Sequence, residues 1–550
     1  MNSIYKYALT SSAAMLAFAS CSDSFLDVES VTESNTETFY KTETDANRAL
    51  IGCYDGYRQT HSAMDIGFYL LSEVMSAECF GGTGNGDDRK YQSVDRFDFS
   101  QEPAHVNMIE NDWKHYYQAI YRYNELISRE EQIVWNETNS KRGIYMGEVR
   151  ALRAMTYFEM TRLWGSIPLY TLPENVNKPQ ASPEEIYQVI FDDLKYAAEN
   201  IAPDAYPKSD AANNDGRMTC YAAKALLARA YLFYTGYYGK EHPACTKADA
   251  LMACEDIISS GEFDLVAEYN TLWPAASANP AEVGDILTLL GSYAGDGNIE
   301  TILAVKFTNT QDYNGNNDSN RWQVMLGRRD LNVAPYAKGW GALNVNPAFV
   351  EKFNKEGGVA RLRASVIDHS ADGLAASADH DKMIETTREY TGYTIKKYSP
   401  LCFADGTFAG KEDGTGDFQT QNHQDFVIVR YADVLLMAAE LGSSNAAKYV
   451  NRVRQRAGLA ALPSVTNDDI LRERQYEFAF EAVNYWDLLR QGIDVAAEKL
   501  SCNQKVLSGG VEDYVVISAD RVKATKGLCQ IPKNQIDLSD DMLKQNEGWY

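Results

Sequence analysis

What most limits the folds open to this chain is the recurrence of amphipathic helical patterns with small residues at the crossing points. Tyr221-Ala-Ala-Lys-Ala-Leu-Leu-Ala-Arg-Ala-Tyr231 places alanines where two helices must approach closely, with a Tyr one turn on, and Ala151 to Phe158 repeats the habit. Apolar residues at i, i+3 and i+4 mark further helices. They cover Thr36–Gly56, Trp113–Ile127, Gly147–Trp164, 184–201, 219–235, 247–259, 429–440, 444–457 and 469–490. Ser182-Pro183-Glu184-Glu185 is a helix start: a Ser cap, Pro at the first position, acids in the first turn. Short loops group these segments into about four degenerate pairs of the tetratricopeptide type, from the first half and the last quarter. The period is too irregular for a clean repeat array. The expected fold is mainly α, with tetratricopeptide-like pairs forming a right-handed scaffold.

Residues 260–425 break the pattern. They are rich in Gly, Asn, Asp, Ser and Thr, with short strand-like pieces at Thr301–Phe307 and Tyr393–Tyr398, and another just beyond at Phe426–Val429. Loops of this length carry function or their own sub-structure. A second Gly-rich loop, Phe80 to Tyr91, interrupts the first helical half.

The N-terminus reads as a secretory signal over residues 1–20. Lys6 supplies the positive start, and Ala8–Ala19 is an apolar run too short to span a bilayer. Phe18-Ala19-Ser20-Cys21 resembles a bacterial lipobox, with Phe18 where Leu is usual, so Cys21 is the expected lipidated residue and membrane anchor. The alternative is an ordinary signal with an incidental cysteine. The other eight cysteines are scattered and form no CxxC pair. Cys53 and Cys220 fall inside helical patterns as small core residues. A Cys245–Cys254 disulfide is compatible with an exported chain but not shown by spacing.

A net charge of -25 excludes nucleic-acid binding by bulk electrostatics. A 45% hydrophobic fraction excludes a disordered chain. The 35 tyrosines suit either wet binding surfaces or helix cores reached through one ring edge. No HExxH, nucleophile elbow or dinucleotide fingerprint occurs. Asp312 to Asn320 alternates oxygen ligands as a calcium loop does, but lacks Gly at the sixth position and has Gln323 where Glu belongs. It reads as a solvated Asn-rich loop or, alternatively, a structural calcium site. No cofactor is expected. Carboxylates are too many for a glycosidase pair to stand out.

The ordered motifs then become specific. Cys21-Ser-Asp-Ser-Phe-Leu-Asp27 is followed by Glu148 to Phe158 and by Leu163-Trp-Gly-Ser-Ile-Pro-Leu169. Next come Arg430 to Glu440, Val450 to Gly458, Ile470 to Arg474, Glu477 to Glu481 and Tyr485 to Arg490. Ile531-Pro532 and Gln545-Asn-Glu-Gly-Trp549 end the series. In this order they resemble the SusD/RagB family of nutrient-binding outer-membrane lipoproteins from end to end. Ser166 and Glu547 depart from the family's usual Asp and Pro.

The resemblance implies a signal peptide at 1–20 and a single SusD-like domain at 21–550. Within it, about 21–260 and 426–550 form the helical scaffold, and about 261–425 the loop-rich ligand-binding region. It further implies a non-catalytic lipoprotein on the extracellular face of the outer membrane. Such a protein delivers oligosaccharides or polysaccharides to a SusC-like TonB-dependent transporter. Competing readings are a glycoside hydrolase on a helical scaffold, a binder of peptides, and a purely structural surface lipoprotein. Family and composition together make Phe80, Asp87 and Tyr91 the ligand-binding candidates in the early loop. Trp273, Asn320, Arg321, Trp322 and Trp340 are those in the central region, Trp322 foremost. Trp322 has burial as its alternative, and Trp340 packing between Gly339 and Gly341. Alternating charges at Arg472, Glu473, Arg474 and Glu477 read as support for a helix face, with Phe480 and Trp486 turned into the core.

Overall fold

The computed structural model describes residues 39–549 apart from 63, 64, 101 and 215, so the signal segment and Cys21 lie outside the described residues. Four helix pairs build the scaffold. α1 (Glu43–Ser62) packs on α2 (Glu110–Ser128), and α3 (Arg142–Trp164) on α4 (Pro183–Asn200). α5 (Cys220–Tyr238) packs on α6 (Lys247–Ser260), and α7 (Tyr431–Glu440) on α8 (Ala446–Arg456). The pairs also stack on one another: α2 on α3, α4 on α5, and α6 on α7 across the long central segment. The architecture is the tetratricopeptide-like, mainly α fold that the periodicity predicts.

Local chemistry explains the boundaries. Ser182 Oγ accepts from the Glu185 N–H (3.3 Å) and the Glu185 carboxylate accepts from the Ser182 N–H (2.8 Å), a reciprocal capping box that starts α4. The alanines at 222, 223, 225, 228 and 230, like Ala151 and Ala154, are fully buried where helices meet. Many of the tyrosines fill cores. Tyr57 and Tyr116, for instance, donate their hydroxyls to the Glu159 carboxylate (2.6 and 2.8 Å), so burial leaves neither phenol unpaired. The motif at 163–169 holds the C-terminus: Trp164 Nε1 donates to the Gln530 carbonyl (3.0 Å) and the Cys529 N–H to the Leu163 carbonyl (2.7 Å).

The central segment is joined to the scaffold by pairing and by buried charge. Thr301–Val305 lies antiparallel to Phe426–Arg430, so Val429 and Arg430 belong to a strand rather than to the helix the pattern suggested. Arg430 donates to Glu481 (2.8 Å), Glu300 (2.8 Å) and Glu477 (2.5 Å). Glu477 also receives Arg361 (3.2 Å) and Arg456, while Lys397 reaches Glu481 (2.6 Å). All these side chains are buried, Arg456 through its guanidinium end. Glu300, Arg361 and Lys397 come from the central segment and the others from the scaffold, so the network is the joint between them.

The charges at 472–477 are structural, but Glu473, Arg474 and Glu477 are buried and do not pair with one another along their own helix. Arg474 instead bonds Asp433 (2.6 Å) and Asp487 (2.7 Å) from neighbouring elements.

The 469–490 helix is also two helices, Asn467–Glu477 and Asn484–Leu489. Phe480 and Ala482 sit at positive φ between them. Tyr69 donates to the freed Phe480 carbonyl (3.1 Å), and Glu73 accepts from the Ala482 N–H (2.6 Å). Phe480 and Trp486 do point into the core.

The eight described cysteines are all unpaired, including Cys245 and Cys254. Cys53 and Cys220 are 1% exposed, as core residues. Among the described residues no helix is long and apolar enough to cross a membrane.

Candidate functional site

The Gly-rich loop begins with a strand, Cys79–Gly81, paired antiparallel to Leu343–Val345. Its glycines let two backbones meet: a side chain at Gly82 would overlap the Gly341 carbonyl, and one at Gly84 the Arg329 guanidinium. The loop is thereby pinned on the 327–345 segment. Asp87 completes the contact, accepting from the Gly84 N–H (2.8 Å) and pairing with Arg329 Nη1 (2.6 Å).

Five of the eight sequence candidates are buried packing residues. Trp322, 2% exposed, stacks on Tyr69 (4.0 Å between centroids, 19°), with Tyr398 and Phe426 edge-on at 5.2 and 5.8 Å. It precedes the short helix Gln323–Leu326, whose start turns the indole inward. Trp273 is 1% exposed, beneath the Lys397 ammonium at 4.2 Å. Phe80 lies in the core within its strand, and Tyr91 is buried in the short helix Lys90–Asp95. Asn320 is a loop lock, donating Nδ2 to the Gln424 carbonyl (2.8 Å). The ring faces of these aromatics are taken by protein, which corrects their expected role as sugar platforms.

The other three come to the surface on adjoining segments. Arg321 lies over the Trp340 ring at 5.7 Å, and both are half-buried. Arg329, which holds Asp87, is the strand partner of Gly339 next to Trp340. Two aromatics that sequence reasoning missed join them. Tyr313, 72% exposed, donates to Asp417 Oδ2 (2.8 Å), and the half-buried Phe418 carries the Lys338 ammonium over its ring at 4.8 Å. The bond to Asp417 pushes the Tyr313 phenol up, and the nearby Arg321 charge pulls it partly back.

Trp340, Tyr313 and Phe418, interleaved with Arg321, Lys338 and Asp417, make a surface of ring faces and short-range hydrogen-bonding groups. Such a surface suits a ligand with alternating apolar faces and hydroxyls. The signal available in sequence was aromatics in polar loops without helical spacing, and the calcium reading of 312–320 obscured it. In the fold, Asp312 Oδ1 accepts from the Asn314 N–H (2.8 Å) and Asp318 pairs with Arg58 (2.8 Å). No cluster of three metal-ligating side chains occurs among the described residues.

Comparison with known proteins agrees with this architecture. The sequence model described as "SusD family" matches residues 290–549, and the one described as "Starch-binding associating with outer membrane" matches residues 24–232. A SusD-like protein of Bacteroides ovatus is 24% identical over 512 residues, spanning 86% of this chain and 80% of that protein. One from Formosa agariphila is 24% identical over 519 residues, spanning 85% and 88%.

Among solved structures, the surface glycan-binding protein A from Bacteroides thetaiotaomicron in complex with laminarihexaose superposes with a TM-score of 0.73. Its identity is 23%, and the match covers 92% of this chain and 100% of that one. A laminarin-binding SusD-like protein gives a TM-score of 0.69 at 24% identity, covering 93% and 100%. With the two sequence models together spanning most of its length, and the fold shared throughout, this chain belongs to the SusD family.

Proposed function

We propose that this protein binds oligosaccharides at the Trp340–Tyr313–Phe418 surface and passes them, without chemistry, to a TonB-dependent barrel of the SusC type. The observation that carries the reading is the surface itself: three accessible rings, each beside a polar group (Trp340 with Arg321, Phe418 with Lys338, Tyr313 with Asp417), on loops held by the helical scaffold. Support comes from the laminarihexaose and laminarin named for two structural relatives. The outer-membrane description of the family model supports a place at the cell surface. Anchoring there is assigned to an acylated Cys21 after removal of residues 1–20, in a single domain whose central segment bears the ligand.

We assign a second surface to the barrel. Tyr121, Leu172, Val176 and Leu538 are 44%, 53%, 58% and 69% exposed around a groove of about 530 Å³ between α2 and the C-terminal segment. Exposed apolar groupings of this kind mark protein interfaces. The test is a glycan array on the purified protein, followed by titration with the best ligand and with Trp340→Ala. Saturable binding without product release, weakened in the variant, supports the reading. Release of shorter sugars favours a hydrolase, and binding of peptides in place of glycans overturns the ligand class.

A further inference from the structure

The far side of the Gly-rich loop bounds a cleft of about 620 Å³. Residues 388–389 and the hairpin of Cys502–Ser508 and Val511–Ile517 close it. In a chain of net charge -25 this cleft gathers four guanidiniums, from Arg89, Arg96, Arg388 and Arg521, against three carboxylates, of Asp98, Glu389 and Asp513. Arg96 is spent on Glu389 at 2.5 Å. Among the described residues none of the other three has a hydrogen bond to a carboxylate. Arg388 donates only to backbone carbonyls, of Asn85 (2.5 Å) and Asp88 (3.4 Å), and Arg521 only to that of Phe97 (3.2 and 2.6 Å). Arg89 has its one carboxylate, Glu102, at 3.8 Å, beyond hydrogen-bond reach. Burial, and then the charge of Arg89, hold the Arg388 guanidinium below its usual value, and Asp87, Glu389 and Glu102 only partly offset them.

The hairpin adds two apolar faces among polar neighbours, Asp513 in the lining and Glu512, which accepts from the Tyr514 hydroxyl (3.0 Å). Tyr514 and Val516, 49% and 53% exposed, alternate along one strand and so present the same face to the cleft. A guanidinium floor with an aromatic wall matches a ring that carries an anion. Guanidinium forks pair with carboxylate and sulfate in two parallel hydrogen bonds, while the ring's C–H face lies on the phenol. The volume is that of an ordinary ligand pocket.

We propose that this cleft binds the carboxylate or sulfate ester of an acidic oligosaccharide, with Arg89, Arg388 and Arg521 on the anion and Tyr514 against the sugar ring. The proposal rests on the glycan-binding reading and adds to it a second place, selective for charge.

The test is calorimetric titration of the purified protein with three probes: trigalacturonate, a sulfated carrageenan tetrasaccharide and the neutral neoagarotetraose. Each is run on wild type, Arg89→Gln, Arg388→Gln and Trp340→Ala. Arg89 is exposed, so its variant keeps the test open should Arg388→Gln fold poorly. At least one acidic probe should bind and lose about 10-fold or more in affinity in each arginine variant, the worth of one charge-assisted hydrogen bond. Binding should also fall with added salt. Which acidic probe binds tells carboxylate from sulfate. Failure of both up to millimolar concentration, or binding indifferent to Arg89→Gln, overturns the inference. So does a neutral probe that loses as much. Loss of acidic binding in Trp340→Ala alone would sink the cleft but keep the glycan surface. Acidic binding lost only in the arginine variants, with no glycan at Trp340, would do the reverse.

Discussion

Replacing Glu477 by Gln should loosen the joint between scaffold and ligand-bearing loops. The carboxylate is fully buried and shared by Arg430 (2.5 Å), Arg361 (3.2 Å) and Arg456. Gln keeps the shape but leaves three buried guanidiniums without that charge. Breaking a buried pair from one side costs about 3–5 kcal/mol. An unfolding entropy of about 2.1 cal/mol/K per residue, over roughly 500 residues, amounts to about 1 kcal/mol per degree. The variant should therefore melt about 3–5 °C below wild type in a calorimeter at pH 7.

The pH dependence adds a second reading. Burial alone would raise this carboxyl, and the charges of Arg456, Arg430 and Arg361 more than reverse it, holding Glu477 well below the usual carboxylate range. A depressed folded value gives stability that is complete above the unfolded glutamate value of about 4.3 and is lost as pH falls below it. The gap between wild type and variant should shrink steadily below about pH 4.3. Equal melting at pH 7 within about 1 °C, or a gap unchanged in acid, would refute the assignment of the joint to this charge.

Trp340→Ala should weaken the best neutral glycan by about 10- to 30-fold, the loss of one aromatic anchor of about 1.5–2 kcal/mol, with no change in melting temperature. Titration calorimetry beside a melting curve checks both halves. Leu172→Glu with Leu538→Glu should abolish co-purification with the barrel while leaving glycan affinity intact, as read by pull-down and titration. Thiol labelling of the native protein should modify Cys502 first. It is the one residue of the eight described that is not fully buried, and burial pushes its thiol up to about 11, less than the Cys245 and Cys402 thiols at about 12. Labelling of Cys53 or Cys254 before denaturation would contradict the packing.

The helices were legible because their information is local. Ser182 and Glu185 are three residues apart, and the alanines of α5 recur at helix spacing, so one sequence window holds each signal. The break at Phe480 was not legible, because what stabilises it, Tyr69 and Glu73, lies some 400 residues away. Strand residues Val429 and Arg430 run directly into α7 without a turn residue, and only their partner at 301–305 separates the two.

The site suffered most. Trp322 looked like a loop aromatic until the fold supplied Tyr69 beneath it. Tyr313 reaches Asp417, next to Phe418, from another loop without periodicity, and only the fold brings the two segments together.

The loop from Gly82 to Tyr91 is a party wall. On one side Asp87 grips Arg329 beside Trp340, and on the other Asn85 and Arg89 line the arginine cleft. Whatever freedom this segment keeps, an occupant of one side that removes it spares the occupant of the other the same cost. Linkage makes such help mutual: whatever factor the first ligand adds to the second's affinity, the second returns. A branched or mixed polymer that offers a neutral face and a charged one would then be retained more tightly than the two separate affinities imply. The glycines and the Asp87–Arg329 pair would set how much of that gain survives.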